Sequence, residues 1–282
     1  MKEYLKFKRS FTLIELLVVI AIIALLSSVI LVSLSGPRQK ARITKALEFS
    51  QSVQHAIGVE AVGIWDFDDC SAKDLSGYKN DGTINGAICV DDTPYKVVGS
   101  GQGKNALSFD GVDDYVETPA INIGTGPVTF SLWVKGTSLP YNQERGFITV
   151  FYSGKPWFFT FERSSWGSGG VNMYVGYNDQ TPNNISGGTW APSDTNWHHV
   201  AMTRDSSAMR LYLDGKAVAS STHTNLTNFD VGNRVIRIGY PSQYNWDGLI
   251  DEVRIYATAL TIGEIQDHYL AGLEKHQQLT IK

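Results

Sequence analysis

The chain has 282 residues, with 24 Lys and Arg against 28 Asp and Glu and a net charge of −4. No basic stripe lies beyond the N-terminus, which argues against a nucleic-acid binder. The 27 Gly, 13 Tyr, 12 Phe and 7 Trp favour a turn-rich β protein over a helical one, and the length leaves room for a large β domain plus a second element.

In chain order, Lys2, Lys6, Lys8 and Arg9 come first, followed by RSFTLIELLVVIAIIALLSS at residues 9–28, an apolar run holding one carboxylate, Glu15. Residues 11–34 predict a helix of roughly 36 Å, enough to cross a bilayer core. The preceding basic residues set its N-terminus on the cytoplasmic side. After Gly36-Pro37, Ile43, Leu47, Ser50, Val53 and Ile57 recur every three or four residues, an amphipathic continuation. Residues 11–58 therefore read as one long helix.

After Gly58 the period falls to two. Runs such as AVGIWDF, ALSFD, VTFSLWVK, GFITVFY, WHHVAMTR, RVIRIGY and LIDEVRIY are separated by Gly, Asn, Asp, Pro and Ser turns. About a dozen such strands predict an antiparallel sandwich or jelly roll. RLYLDGKAVAS reads as a hairpin with Asp214-Gly215 at its tip. Thr261 and Glu264 have capping-box spacing, so a short final helix is expected to reach about Leu270. The fold class is α+β by segment: a long N-terminal α-helix, then an all-β antiparallel jelly-roll sandwich over 59–271 with a short C-terminal helix, then a flexible tail over 272–282.

The titratable residues do not assemble into a catalytic pattern. His198 and His199 are strand neighbours, expected on opposite faces, and so are Asp251 and Glu252. No further carboxylate has the spacing for acid–base chemistry. No catalytic residue, no required cofactor and no enzyme activity are expected. Trp133 and Trp197 alternate as core residues. The aromatics able to stack on a sugar lie in Gly/Ser-rich loops: Trp157 in SGKPW, Trp166 in RSSWGSGG, Trp190 in GGTWAPSDTNW, and Tyr240 and Tyr244 in YPSQYNW.

The N-terminal block resembles the type IV prepilin signal shared by type IV pilins and type II secretion pseudopilins. The matching residues are the basic leader ending in Ser10, then Phe11-Thr12-Leu13-Ile14-Glu15-Leu16-Leu17. The resemblance covers roughly residues 1–58, and Ser10 stands where the family usually has Gly. It implies that 1–10 is a leader, that a prepilin peptidase cuts between Ser10 and Phe11, and that Phe11 is then N-methylated. It also implies a partner for Glu15. A carboxylate in lipid costs about 2.5–3.5 kcal/mol, and in the family the Phe11 amine of a neighbouring subunit pairs with it. The partners implied are identical or homologous pilin subunits, the peptidase and the inner membrane before assembly, with a pilus or the cell surface as destination. The alternatives are a pseudopilin of a secretion or DNA-uptake machine, or a membrane-anchored binding module that never polymerises. Export would carry Cys70 and Cys89 to an oxidising setting, where their disulfide would add about 3 kcal/mol.

Residues 62–270 resemble a laminin-G-like, concanavalin-type jelly roll. The matching blocks are WDFDD, ALSFDGVDDYVETP, FSLWVKG, WHHVAMTRD, LYLDGKAV and WDGLIDEVRIYATALTIGEI, in the family's order. The resemblance implies a fold that carries sugar binding, protein adhesion and mere spacing alike, with glycans or surface proteins as the partners it could take, and it allows structural calcium near a sheet rim. The candidate ligands are Asp66, Asp68, Asp110 and Asp251. Asp68 and Asp251 come first, because the first and last strands are expected to be neighbours.

Overall fold

The computed structural model describes Ile14, Leu17, Val18 and Ile20, and residues 61–91, 105–124, 126–137, 144–152, 155–164, 171–177, 185–190, 194–222, 233–240 and 245–276. The first four are helical and at least half exposed. The rest of the expected N-terminal helix lies outside the described residues, as does the cleavage position. No helix among the described residues is long and apolar enough to cross a membrane.

The head is an antiparallel β-sandwich with one C-terminal helix. Its first sheet runs β13 (Lys216–Ser221), β12 (Met209–Leu213), β11 (Trp197–Arg204), β6 (Val128–Gly136), β15 (Asp247–Tyr256), β4 (Ala106–Asp110), β3 (Ile88–Val90). β1 (Ala61–Trp65) also pairs with β15, in register Ala61↔Tyr256 and Trp65↔Val253, while β4 takes residues 247–250 of the same strand. The first and last strands are thus neighbours, as expected. The second sheet runs β10 (Ile185–Trp190), β9 (Val171–Tyr177), β8 (Lys155–Ser164), β7 (Glu144–Tyr152), β14 (Ile236–Ile238), β5 (Tyr115–Glu117), β2 (Thr83–Asn85).

Alternation decides which side chains meet between the sheets. Phe130, Leu132, Val200, Met202, Ile250 and Ile255 from the first sheet pack against Val116, Phe147, Ile148, Val150, Ile236 and Ile238 from the second, with Trp65, Phe109 and Trp246 among them. A fully buried side chain of this size contributes about 1.5–3 kcal/mol. The hairpin forms where expected: Asp214 and Gly215 both take positive φ (49° and 72°), and Leu213 pairs with Lys216 across a two-residue turn. The Cys70–Cys89 disulfide forms, tying the loop after β1 to β3.

The helix α1 (Ile262–His276) starts on the expected capping box: Thr261 N and Oγ1 donate to Glu264 Oε2 at 2.7 and 2.8 Å, and Glu264 N donates back to Thr261 Oγ1 at 3.3 Å. It runs past Leu270. Residues 272–276, expected in the tail, form its last turns, and Lys275 and His276 are 3% and 2% exposed. The reason is a charged turn with its own partners on the sheet below. That sheet presents a second buried layer to α1, in which Trp133, Trp197, Ala106 and Leu249 meet Tyr269 and Leu273. Trp133 and Trp197 are therefore buried as expected, beneath the helix instead of between the sheets.

Candidate functional site

The second sheet turns its other face away from the core. On β14, Ile236 and Ile238 point inward, so Arg237 points out. On β5, Val116 points inward, so Tyr115 and Glu117 point out. On β7, Ile148 and Val150 point inward, so Thr149 and Phe151 point out. Register sets Arg237 opposite Glu117 on one side and Thr149 on the other. The guanidinium carbon lies 4.5 Å from the Tyr115 ring centroid, 4.7 Å from Phe151 and 4.9 Å from Tyr240, and Nε donates to Glu117 Oε2 at 2.7 Å. Tyr115 and Tyr240 are 5.3 Å apart, and Phe151 and Tyr240 stack at 6.3 Å. Thr149 is fully buried in this row, with no hydrogen-bond partner for its Oγ1 among the described residues.

This arrangement gathers three aromatic rings, a guanidinium and a carboxylate into one patch on the outer face of the sheet. Ring faces of this kind offer apolar and quadrupolar surface, and the planar, always-charged fork offers directed hydrogen-bond donors. Of this group the sequence singles out only Tyr240. The others follow from alternation, since Tyr-Val-Glu and Ile-Arg-Ile each place polar or aromatic groups on the face opposite a buried aliphatic. Trp157 and Trp190 lie on β8 and β10, with side chains outside the described residues. Trp166, Tyr244, Ser10, Phe11 and Glu15 lie outside them entirely.

A second cluster is buried under α1. A bulge in β15 between Asp251 and Arg254 leaves two residues opposite one of β6, and Glu252 takes φ of 47°. Asp251 and Glu252, expected on opposite faces, therefore lie on the same one. His276 Nε2 is 3.3 Å from Asp251 Oδ2 and 3.8 Å from Glu252 Oε1, and Arg254 Nη2 donates to Glu252 Oε2 at 3.1 Å. Burial holds the Asp251 carboxyl well above the usual carboxylate range. Glu252 goes the other way: burial opposes its charge, but Arg254 and His276 outweigh burial and hold it low.

The four expected calcium ligands divide. Lys275 Nζ is 2.7 Å from both Asp68 Oδ1 and Asp251 Oδ2. An ammonium already occupies the space between these two carboxylates, so the pair does not fit calcium. Asp66 spends an oxygen on Asp68 N at 3.2 Å. Asp110 belongs to a separate acidic loop with Asp113 and Asp114.

The adjacent histidines part as expected. His198 bridges Asp214 and Asp194 at 2.9 and 3.1 Å. His199 is buried against Ser131 Oγ at 2.9 Å, and burial pushes it down to about 3. A cleft of about 460 Å³ opens beside Ser108, Lys135, Thr137, Thr195 and Asp247. Thr137 Oγ1 donates to Asp247 Oδ2 there at 2.7 Å.

Residues 110–266 match the family described as the concanavalin A-like lectin/glucanases superfamily, and residues 5–31 match the prokaryotic N-terminal methylation motif. No protein of curated function matches the chain. Among solved structures, the chain is similar to domain 4 of AbnA, a GH43 extracellular arabinanase from Geobacillus stearothermophilus, in complex with arabinotriose. The identity is 23% and the TM-score 0.55, over 74% of this chain and 98% of that one. It is also similar to the binding domain of Paraclostridial Mosquitocidal Protein 1, at 16% identity and TM-score 0.56, over 74% of this chain and 52% of that one. A third similarity is to the ligand binding domain of botulinum neurotoxin serotype D in complex with N-acetylneuraminic acid, at 14% identity and TM-score 0.54, over 77% and 52%. The chain thus spans about half the length of the last two. At these identities the likeness concerns the fold.

Proposed function

We propose that this chain, which belongs to the concanavalin A-like lectin/glucanases superfamily, is a pilin-like subunit displaying a non-catalytic, glycan-binding head. One conjunction carries the reading: a methylation motif over residues 5–31 precedes a lectin-like sandwich on the same chain. The leader is cut after Ser10, Phe11 is methylated, and the helix is held in the cytoplasmic membrane until it enters a filament of identical or homologous subunits. Glu15 sets register there by pairing with a Phe11 amine, which titrates at about pH 8 in water.

The head binds its sugar on the outer sheet face, where Tyr115, Phe151 and Tyr240 surround Arg237. The chemistry there is recognition. The adjacent carboxylates Asp251 and Glu252 lie under α1, paired with Lys275 and Arg254, where no substrate reaches them. That the similar structures include domains solved with arabinotriose and N-acetylneuraminic acid supports looking for a saccharide.

Mass spectrometry of the N-terminal peptide from a sheared cell-surface fraction tests the reading. A peptide starting at methylated Phe11 is expected. A membrane-retained chain still starting at Met1 would overturn the filament role and leave an anchored binding module.

A further inference from the structure

Where α1 ends, a buried amine faces a buried carboxyl. Lys275 Nζ lies 2.7 Å from Asp251 Oδ2, with the two side chains 3% and 0% exposed. That contact places the amine against the carboxyl group, as a near-attack pair requires. The surroundings are aromatic. The His276 ring stacks on Trp133 at 4.6 Å and packs against Trp197 at 4.5 Å, and its Nε2 is 3.3 Å from the same Asp251 oxygen. Glu252 Oε1 stands 3.8 Å behind that nitrogen. We propose that Lys275 and Asp251 condense into an intramolecular isopeptide bond, joining the last turn of α1 to the middle of β15.

The reaction balances without a further reagent. One ammonium proton passes from Lys275 to the Asp251 carboxylate across the 2.7 Å contact, giving a neutral amine beside a neutral acid. The amine attacks Cγ, the N–C bond forms and one Cγ–O bond breaks. The departing oxygen carries away two of the three ammonium protons as water, and the third remains as the amide N–H. His276 is placed to relay the second proton to the leaving oxygen.

Burial supplies the drive. An ion pair withdrawn from water costs several kcal/mol per ion, and the amide removes both charges. Burial raises Asp251 toward the neutral acid. Lys275 is pulled down by burial but held charged by Asp251 and Glu252, so it becomes nucleophilic only as its proton moves to the acid. The other carboxylate on Lys275, Asp68, is 40% exposed, where water competes. Asp251 is therefore the acyl partner.

The test is mass spectrometry of the whole purified chain, denatured and reduced, followed by peptide mapping. The expected result is a mass lower by one water and a branched peptide linking Lys275 to Asp251. Lys275→Arg is expected to restore the full mass, and His276→Gln to slow the loss of water while Lys275 and Asp251 remain. A wild-type chain showing no loss of water from the mass of its mature sequence would overturn the proposal, whatever the variants do. So would a water loss mapping to an Asp-Gly succinimide, for which Asp81, Asp110, Asp214 and Asp247 supply the sequence.

Discussion

Gly272 of α1 sits directly on Trp133 of β6: a Cβ at the glycine would lie 2.0 Å from the indole Nε1. Glycine inside a helix ordinarily costs about 1 kcal/mol relative to alanine. Here the clash reverses the sign. Gly272→Ala is expected to destabilise the protein by about 1–3 kcal/mol, as overpacked cores do. The midpoint of urea unfolding reads it, and a more stable variant would mean that α1 does not seat on Trp133.

Reducing the Cys70–Cys89 disulfide should cost about 3 kcal/mol, since it closes a loop with a sequence separation of 19. The effect should appear as a lower thermal midpoint in dithiothreitol. The Cys70→Ser, Cys89→Ser double variant should match the reduced wild type and no longer respond to reductant.

Two histidines give stability opposite dependences on pH. Burial alone would depress His198, but the carboxylates of Asp214 and Asp194 outweigh it and raise the pKa above 6.5. That contribution is complete below the unfolded value and fades as pH rises through the folded one. His199, buried and held near 3, acts in reverse: stability falls as pH drops below 6.5, because the unfolded chain takes up a proton the folded one refuses. His198→Gln should therefore destabilise more at about pH 5 than at about pH 9, while the acid-side loss remains. Equal destabilisation at both would show that His198 is neutral in the fold.

Arg237→Lys keeps the charge but loses the planar fork lodged among Tyr115, Phe151 and Tyr240. A glycan bound on this face should weaken by about tenfold or more, roughly 1.4 kcal/mol. Global stability should change by no more than about 1 kcal/mol, the value of a partly exposed cation–π contact. A glycan array probed with both proteins separates the effects, and unchanged binding would move the site off this face.

Period and turn chemistry carried most of the fold into view. The β12–β13 hairpin, the capping box at Thr261 and the burial of Trp133 each follow from a local pattern that tertiary contacts reinforce. Three strands escaped: β2 and β3 are three residues each in a Gly/Asn-rich stretch, and β10 reads ISGGTW, with glycines where β-formers are expected. Glu-Lys-His reads as a solvated end because its partners, Asp251 and Asp68, come from distant parts of the chain. The bulge at Glu252 was invisible for a similar reason, since alternation assigns faces only while the ladder stays regular. Of the candidate site, single residues were legible and their convergence was not. Tyr115, Phe151 and Arg237 come from three separate strands, and only strand order brings them together.

β1 is the first strand of the head, and its ladder partner is β15. If the N-terminal segment tethers this domain, a pull along that tether reaches β1 first among the described strands. It falls first on the few pairs between Ala61↔Tyr256 and Trp65↔Val253. Behind them stand the fully buried Trp65 ring and the Asp74 carboxylate, which accepts a hydrogen bond from Ile64 N at 3.0 Å. Under flow, β1 is then the strand that peels, while β15 passes the remaining tension sideways to β6 and β4. Such a pull would strip a short strand before it opened the rest of the sandwich.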